Sequence, residues 1–430
     1  MFQTIRNAWK IEELRRKMIF TLFVVLLYRL GNSVPVPFVN VQALEAYLAQ
    51  YSNTVLGLVN VMSGGAFSQA TIFALSIQPY INASIIMQLL TIAIPALERM
   101  QKEDGEEGKK KIASITRYAT VAIGLLQGFA YYTMISRNGL LLESGTWVAI
   151  VIITSFTSGS ALLMWLGEQI TEFGVGNGVS IILFASIVSR FPIAVYNTVT
   201  QVIRKTLAWW LALIMLLGAL AIVVLIVIVT DGERRIPIQY SKRVVGRKMY
   251  GGQSTHLPMK VNMSGVMPVI FAQTIASLPV TIAAFFPAPA EETFSAWLLK
   301  VLSVGSVFYI IIYFALILFF SYFYATVQFN PIEIANNLRK NGGFIPGFRA
   351  GRPTSEFIQK VLNKITLFGA IYLSIIAVTP LIISLVSVSA QNSGISLGGT
   401  SVIIVVGVAL ETVTALESQI LMRHYRGFLE

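Results

Sequence analysis

The chain of 430 residues has no cysteine, two histidines and two aspartates, and only 12% of its residues are charged. The missing cysteines exclude disulfides, thiol catalysis and thiolate metal sites. Soluble domains contain about 25% charged residues. A chain with half that share and 55% hydrophobic residues therefore belongs to another class.

The scarce histidines and aspartates also lie in the wrong places for catalysis inside a membrane. His256, His424, Asp104 and Asp231 fall outside the long apolar runs, and no His-Glu-x-x-His motif occurs. Intramembrane hydrolysis needs a Ser–His pair, an Asp pair or a metal-binding helix. We therefore expect a protein that is not an enzyme and that has no metal site and no cofactor.

The chain is instead rich in apolar runs long enough to cross a bilayer, which takes about 20 residues. Ten such runs predict an all-α polytopic membrane protein with ten transmembrane helices. The runs cover residues 18–38, 71–95, 115–136, 146–166, 178–198, 207–230, 264–286, 301–327, 366–388 and 398–421. They divide into a first half, 18–200, and a second half, 201–421. Five spans per half would turn the second half upside down relative to the first, as in many transport proteins.

Lysine and arginine are distributed unevenly between the two sides that these runs define. Of the 32 basic residues, 26 fall on one side. That side holds the amphipathic N-terminal segment 1–17, the loop that follows the second run, the loops 231–263 and 328–365, and the tail 422–430. Because basic residues are retained in the cytoplasm, we predict that both termini are cytoplasmic.

The second apolar region is interrupted. A short apolar stretch, 55–62, ends at Ser63-Gly64-Gly65, and the following run contains Pro79 and several polar residues. These polar residues are Gln78, Asn82, Ser84 and Gln88. Helices of this kind are tolerated in membranes where they are buried in protein or line a cavity. This region therefore predicts one wall of a path.

Only one acidic residue, Glu411, lies near the middle of a predicted span, where it forms a polar strip with Thr414 and Ser418. It is interpreted as a structural carboxylate that is protonated or hydrogen-bonded to a neighbouring helix, with an ion-coupling group as the alternative. Ion-coupled carriers usually bury several ionisable groups. A small-solute secondary transporter of the inverted-repeat type is thus the second hypothesis.

The loops 231–263 and 328–365 are longer than connections need to be. Alternating Ile236, Ile238 and Tyr240 predict a hairpin with Gly246 near its tip. The loops could serve only to set the topology and bind anionic lipid. Their length and positive charge favour a platform for a large acidic partner, either a protein surface or ribosomal RNA.

Five motifs, in this order, make the chain resemble the SecY family, the central subunit of the bacterial Sec protein translocon. They are SGGA at 63–66 leading to PYINASII at 79–86, MWLGEQIT at 164–171 with GNG at 176–178, QSTHLPMKVN at 253–262, FNP at 329–331 and GGTS at 398–401. The resemblance extends over nearly the whole chain. It implies a clamshell channel of two inverted five-helix halves in the bacterial cytoplasmic membrane. The channel would carry unfolded polypeptides across and release transmembrane segments laterally.

The resemblance also assigns roles to residues. A pore ring is implied at Ile77, Ile81, Val179, Leu183, Ile270 and Ile404, where valine and leucine replace the family's frequent isoleucine at two positions. A plug is implied at 55–69, with Val55, Leu58, Asn60, Met62, Ser63, Gly64, Gly65 and Phe67. A lateral gate between the second and third spans and the seventh and eighth spans would use Gln88, Thr91, Met267 and Gln273.

The partners are likewise implied by the resemblance. Arg247, Lys248 and Arg349 match loop positions that contact the SecA motor or the ribosome. Small SecE-type and SecG-type membrane subunits, signal peptides, nascent unfolded polypeptides and membrane lipids complete the expected set. No nucleotide-binding motif occurs in the chain, so an external motor or the ribosome would supply the work.

Overall fold

The computed structural model describes residues 2–50, 55–102, 105–206, 208–240, 243–245, 248–250, 254–262, 265–283, 301, 306–386 and 398–426. Helices dominate these residues. They are α1 (Phe2–Lys10), α2 (Glu12–Gly31), α3 (Val41–Gln50), α4 (Val55–Met62), α5 (Gln78–Ala93), α6 (Pro95–Lys102), α7 (Gly105–Arg137), α8 (Thr146–Phe173), α9 (Gly178–Val188), α10 (Phe191–Ile203), α11 (Trp209–Asp231), α12 (Met267–Ala283), α13 (Val307–Gln328), α14 (Pro331–Lys340), α15 (Arg352–Val386) and α16 (Gly398–Arg426).

Each of the ten predicted spans contains a helix. Within the described part of the chain, seven helical stretches are long and apolar enough to cross a membrane by themselves, with α9 and α10 counted as one. The bent pair α5–α6 makes an eighth. The two remaining helices are α2, with 20 residues, and α12, with 17. This is the fold of a helical multi-pass membrane protein.

The first span is shorter at its far end than the apolar run predicted. Helix α2 ends at Gly31, whereas the run continues to residue 38. Pro35 and Pro37 lack the backbone N–H that a helix needs. The chain from Val34 to Val36 instead pairs with the segment after the plug, through Pro35 opposite Thr71.

The second span also starts later than the predicted residue 71. Residues 71–77 form turns, and α5 begins at Gln78 with Pro79 in its first turn. Proline favours this position because its missing N–H would be unpaired there anyway. The helix stops before Pro95, and α6 leaves at an angle of 104°. The residue before a proline is disfavoured in helical geometry, which explains the bend.

Other helices extend beyond the predicted runs. Helix α7 begins ten residues before residue 115, and α15 begins at Arg352, well before residue 366. Apolar runs mark only the part of a helix that lipid can surround, whereas charged residues such as Glu and Lys still favour helix. The fifth span divides at Ser189–Arg190 into α9 and α10, since Pro192 starts a new helical segment.

Two small antiparallel sheets add to the helices outside the predicted spans. Their strands are β1 (Glu233–Tyr240), β2 (Arg243–Val245), β3 (Lys248–Tyr250), β4 (Ser254–Lys260) and β5 (Gly343–Phe344). Strand β1 lies between β4 and β5, and β2 pairs with β3. The hairpin predicted from alternating residues is therefore confirmed. What the sequence did not predict is that β5 joins the sheet and so ties the two long loops together.

The two ends of the chain lie together. Helix α1 packs on α16, and Thr4 Oγ1 donates to Glu417 Oε1 at 2.8 Å. Both ends therefore lie on one side of the molecule, as an even number of spans requires. Helix α5 packs on α7, α12 packs on α13, and α9 contacts α16 between the two halves of the chain.

Candidate functional site

All six positions of the pore ring come together in one hydrophobic core, although they lie on or beside four different helices. Ile77, Ile81, Leu183, Ile270 and Ile404 are buried in it, and Val179 packs against it. Ile77 is completely inaccessible, and the other four buried members are at most 5% exposed. The six predicted ring positions thus belong to one buried apolar core.

The GNG motif positions the ring residues of α9. The Asn177 side chain accepts hydrogen bonds from the N–H groups of Val179 and Ser180, at 3.0 and 3.3 Å, and so caps the helix. A Cβ on Gly178 would lie 1.9 Å from the Gly167 carbonyl of α8. Only glycine lets α9 start so close to α8, and Val179 and Leu183 then face the core on successive turns.

A cavity of about 140 Å³ opens on one side of the ring. It extends from Ile81 to Gln88, two turns further along α5. Uncharged side chains line it: Tyr80, Ile81, Ser84, Gln88, Asn177, Val179, Ser180, Leu183, Met267, Ile270, Phe271 and Tyr324. Four of these belong to the ring, so the cavity ends at the ring.

A hydrogen bond crosses the interface between α5 and α13, the second and eighth spans. Tyr324 Oη donates to Gln88 Oε1 at 2.9 Å, and the Tyr324 ring packs edge-on against Phe271 of α12 at 5.2 Å between ring centres. These contacts join the two sides of the predicted lateral gate, which are α5 and α7 on one side and α12 and α13 on the other. Thr91 is placed differently, since its hydroxyl donates to the Met87 carbonyl within α5.

The predicted plug is a short apolar helix followed by a compact turn. Val55 and Leu58 lie in α4, which ends at Met62. Gly64 and Gly65 have φ angles of 67° and 94°, a region that L side chains rarely adopt.

Side chains hold the turn after α4. Asn60 Oδ1 accepts from the Ser68 N–H at 3.0 Å, and the Ser63 hydroxyl accepts from the Phe67 N–H at 3.1 Å. Phe67 stacks on Tyr131 of α7, whose hydroxyl donates to the Phe67 carbonyl. The turn is therefore anchored to α7.

The plug contacts the gate directly. Gln273 of α12 is 6% exposed, and its Nε2 donates to Met62 Sδ at 3.6 Å. Movement of α12 away from α5 would therefore also break a contact to the plug.

A second cavity, of about 70 Å³, lies where the predicted plug, α5, α7 and α12 meet. Polar side chains from all three helices reach it, namely Gln78, Asn82, Gln127, Thr274 and Ser277. The buried Asn82 Oδ1 and Thr274 Oγ1 have no hydrogen-bond partner. For this cavity, the sequence analysis identified only the polar residues on α5, Gln78 and Asn82. It missed Gln127 and Thr274, although each is a polar residue within an apolar run.

Glu411 is hydrogen-bonded to a neighbouring helix. Its carboxylate accepts a hydrogen bond from the Val266 N–H, immediately before α12. A Cβ on Gly265 would lie 2.5 Å from Glu411 Oε1. The N–H groups at a helix start lack partners within the helix and favour negative charge. This geometry agrees with the structural interpretation of Glu411.

The predicted partner-contact residues lie far along the two long loops. Arg349 is exposed, and its backbone carbonyl accepts a hydrogen bond from Thr354 Oγ1 at 2.8 Å. Lys248 is in β3, and Arg247 lies outside the described residues. Within the described chain, no three His, Asp or Glu side chains are grouped to hold a metal ion.

Comparisons with known proteins agree with this geometry. The SecY family profile matches residues 71–413. The protein translocase subunit SecY of Streptomyces coelicolor is 44% identical over 444 positions, which cover 100% of both chains. A SecY structure solved to study its plug domain has a TM-score of 0.67 at 16% identity, covering 94% of this chain and 92% of that one. Canine Sec61, from a ribosome–channel complex, has a TM-score of 0.61 at 13% identity with the same coverage.

Proposed function

The chain belongs to the SecY family, and we propose that it is the protein-conducting channel subunit of a Sec translocon. Unfolded polypeptides pass through the pore ring, and sufficiently apolar segments leave sideways between α5 and α13. The observation that carries this proposal is the burial of the six predicted ring positions. These aliphatic residues come from both halves of the chain and belong to one core, and the short apolar helix α4 contacts α9 and α12.

The chemistry of the ring suits a substrate whose side chains vary. A narrow apolar constriction resists water and ions by dewetting. Aliphatic side chains can separate without breaking hydrogen bonds, so the same ring accommodates any sequence. Lateral release then depends on how each segment of the polypeptide partitions between the channel and the lipid. A central Leu or Ile favours lipid by about 0.3–0.6 kcal/mol, and a charged residue opposes it by about 2.5–3.5 kcal/mol.

The linings of the two cavities argue against a small-solute transporter. A coupled carrier would place ionisable groups around its binding site. The cavity at the ring and the cavity at the plug are both lined only by uncharged residues. Glu411, the acidic residue that such a mechanism would use, instead bonds to the start of α12.

The charge distribution and the family support a location and a set of partners. The protein lies in the bacterial cytoplasmic membrane with both ends in the cytoplasm, where the sheet formed by the two long loops receives a SecA-type ATPase or a ribosome. The chain itself performs no catalysis. SecE-type and SecG-type subunits stabilise the two halves of the channel. Residues 1–17 and 422–430 form its cytoplasmic ends, and residues 55–69 form the displaceable plug.

The test is reconstitution. The chain would be purified with its small membrane subunits, inserted into vesicles and supplied with SecA, ATP and an unfolded secretory precursor. The precursor should become protected from protease only when ATP and the chain are both present. Uptake of small solutes without precursor transport would refute the proposal.

The partner surface has a separate test. Arg349→Glu should lower SecA-driven transport at least tenfold and weaken SecA binding, because an exposed cation facing an acidic partner becomes a repulsive charge. Arg204→Glu is the matched control, since Arg204 is exposed on the opposite predicted side. Unchanged SecA binding by the Arg349 variant would remove this loop from the contact surface.

A further inference from the structure

Four buried polar groups from three segments meet beside the plug. They are the Tyr28 hydroxyl of α2, the Asn32 side chain just after α2, the Ser186 hydroxyl of α9 and the backbone carbonyl of Ser63. Tyr28 is 1% exposed, and both serines are fully buried. Ser63 is the first residue after the plug helix α4, which ends at Met62.

The hydrogen bonds in this cluster share one phenol proton between two acceptors. Tyr28 Oη lies 3.2 Å from the Ser63 carbonyl oxygen and 2.6 Å from Ser186 Oγ. Asn32 Nδ2 donates to Tyr28 Oη at 3.1 Å, so this amide occupies one of the phenol's lone pairs, and it also donates a longer bond of 3.4 Å to the Ser63 carbonyl oxygen. Ser186 Oγ in turn lies 2.8 Å from the Ile182 carbonyl of its own helix.

Two proton arrangements therefore satisfy the same set of groups. In the first, Tyr28 donates to the Ser63 carbonyl and Ser186 donates to Tyr28. In the second, Tyr28 donates to Ser186 and Ser186 donates to Ile182. The first arrangement holds the plug, and the second leaves no hydroxyl without a partner once Ser63 has moved away. A buried hydroxyl without a partner would be unfavourable, and the second arrangement avoids that state.

We propose that Tyr28 is a positioning residue of the plug, a latch that holds Ser63 in the closed channel and releases it by turning its proton to Ser186. This inference rests on the proposed channel function. It assigns the closed position of the plug to a specific bond and its reversibility to a second serine.

The residues after Ser63 have the geometry of a hinge. Gly64 and Gly65 lie between the latched Ser63 and Phe67, which is anchored to α7 through Tyr131. A Cβ on Gly64 would lie 3.0 Å from the Ser186 carbonyl oxygen, so the hinge is in contact with α9. When Ser63 is released, α4 can turn about the two glycines while the anchored segment stays in place.

Tyr28→Phe tests the latch because it removes only the hydroxyl. The ring still stacks on Phe73, with 5.9 Å between ring centres. The net free energy of one hydrogen bond changes the equilibrium between the latched and the released plug by a factor of up to about ten. Ion conductance of the resting channel in planar bilayers should rise by about that factor. Tyr313→Phe is the matched control, since Tyr313 is also buried in a span and its hydroxyl has no partner. It should leave the conductance unchanged.

Ser186→Ala should have the opposite effect. Without Ser186 Oγ, the Tyr28 proton has no second acceptor, so release of Ser63 leaves a buried donor unpaired. Transport of a precursor should therefore start several-fold more slowly, while resting conductance does not rise. If the cluster only supports the local structure, both variants should loosen the plug and raise the resting conductance. A raised resting conductance in both variants would therefore overturn the latch.

Deletion of 55–62 separates the latch from the channel proposal. This deletion should raise resting conductance, and adding Tyr28→Phe should raise it no further. If Tyr28→Phe alone has no effect while the deletion leaks, the latch is wrong and the channel stands. If Tyr28→Phe leaks further in the deleted channel, it acts on the ring rather than the plug, and the latch is wrong. If the deletion itself does not leak, α4 does not contribute to the closed state and the latch is refuted, whereas the ring stands as the proposed seal.

Discussion

Replacing one ring residue with a polar one should make the closed channel leak. Ile81 is 5% exposed within the central core and borders the cavity that ends at the ring. Ile81→Asn keeps the side chain short but introduces an amide with two donors and one acceptor. In the closed ring the amide would face the aliphatic side chains of the other ring residues, whereas the open pore offers it water.

The magnitude follows from what the closed state loses. Burial of an isoleucine side chain is favourable by about 1.5–3 kcal/mol. An amide buried without partners is unfavourable by about 1–3 kcal/mol. The closed state should therefore lose roughly 3 kcal/mol or more relative to the hydrated state, and 1.4 kcal/mol corresponds to a factor of ten. The fraction of open channels should rise by about a hundredfold.

Single-channel recording in planar bilayers, without motor or precursor, measures this fraction directly. Ile86→Asn is the matched control, because Ile86 lies on the same helix α5 but is 46% exposed on another face. It should conduct no more than the unmodified channel. Background conductance of Ile81→Asn, in protein that is folded and inserted, would show that Ile81 does not form the seal.

Three further outcomes are expected from single substitutions. Tyr324→Phe removes the hydrogen bond to Gln88 across the gate, which contributes about 0.5–1.5 kcal/mol. The variant should therefore export a precursor that has a weakened signal peptide. Unchanged export would contradict a role of this bond in keeping the gate closed. Glu411→Gln keeps a hydrogen-bond acceptor for the start of α12 but loses the negative charge. The midpoint temperature of thermal unfolding should therefore fall by a few degrees, while transport is retained. Complete loss of transport in a folded protein would contradict the structural role. Gly178→Ala should prevent stable folding of the protein, because the alanine Cβ would lie 1.9 Å from a carbonyl oxygen of α8. A normal protein yield and a normal thermal unfolding midpoint would contradict this packing.

The sequence predicted the helices well, because long apolar runs depend on side-chain polarity. Each apolar run contains a helix, and the six ring positions assigned from the family resemblance occupy one core. The errors lie at helix ends. The first span ends at Gly31 and the second begins at Gln78, because prolines and turn hydrogen bonds decide where helices end in segments that remain apolar throughout.

Contacts between distant segments could not be predicted from composition. Strand β5 has only two residues, and its pairing with β1 depends on how two loops fold against each other. The partners of Tyr28 are 35 and 158 residues away in sequence. A tyrosine in an apolar run is compatible with burial, lipid contact or an interface, and only the fold selects among them.

The contacts that must break when the channel opens are individually weak. Tyr324 and Gln88 share one neutral hydrogen bond across the gate, and Gln273 reaches the sulfur of Met62 in the plug. A neutral hydrogen bond contributes only about 0.5–1.5 kcal/mol, and a thioether is a weak acceptor. Binding of an apolar signal segment, at several tenths of a kcal/mol per residue, is therefore enough to replace them.

The contacts that must persist are of another kind. A Cβ on Gly159 would lie 2.0 Å from the Ile72 carbonyl oxygen, so α8 packs directly on the backbone of the segment that follows the plug. Gly178 and Gly167 join α9 to α8 in the same way. Backbone contacts of this closeness cannot slide without large rearrangement, because packed interiors deform little. Glycine thus keeps the first half rigid, and motion is confined to the plug and the gate, where single hydrogen bonds hold the closed state.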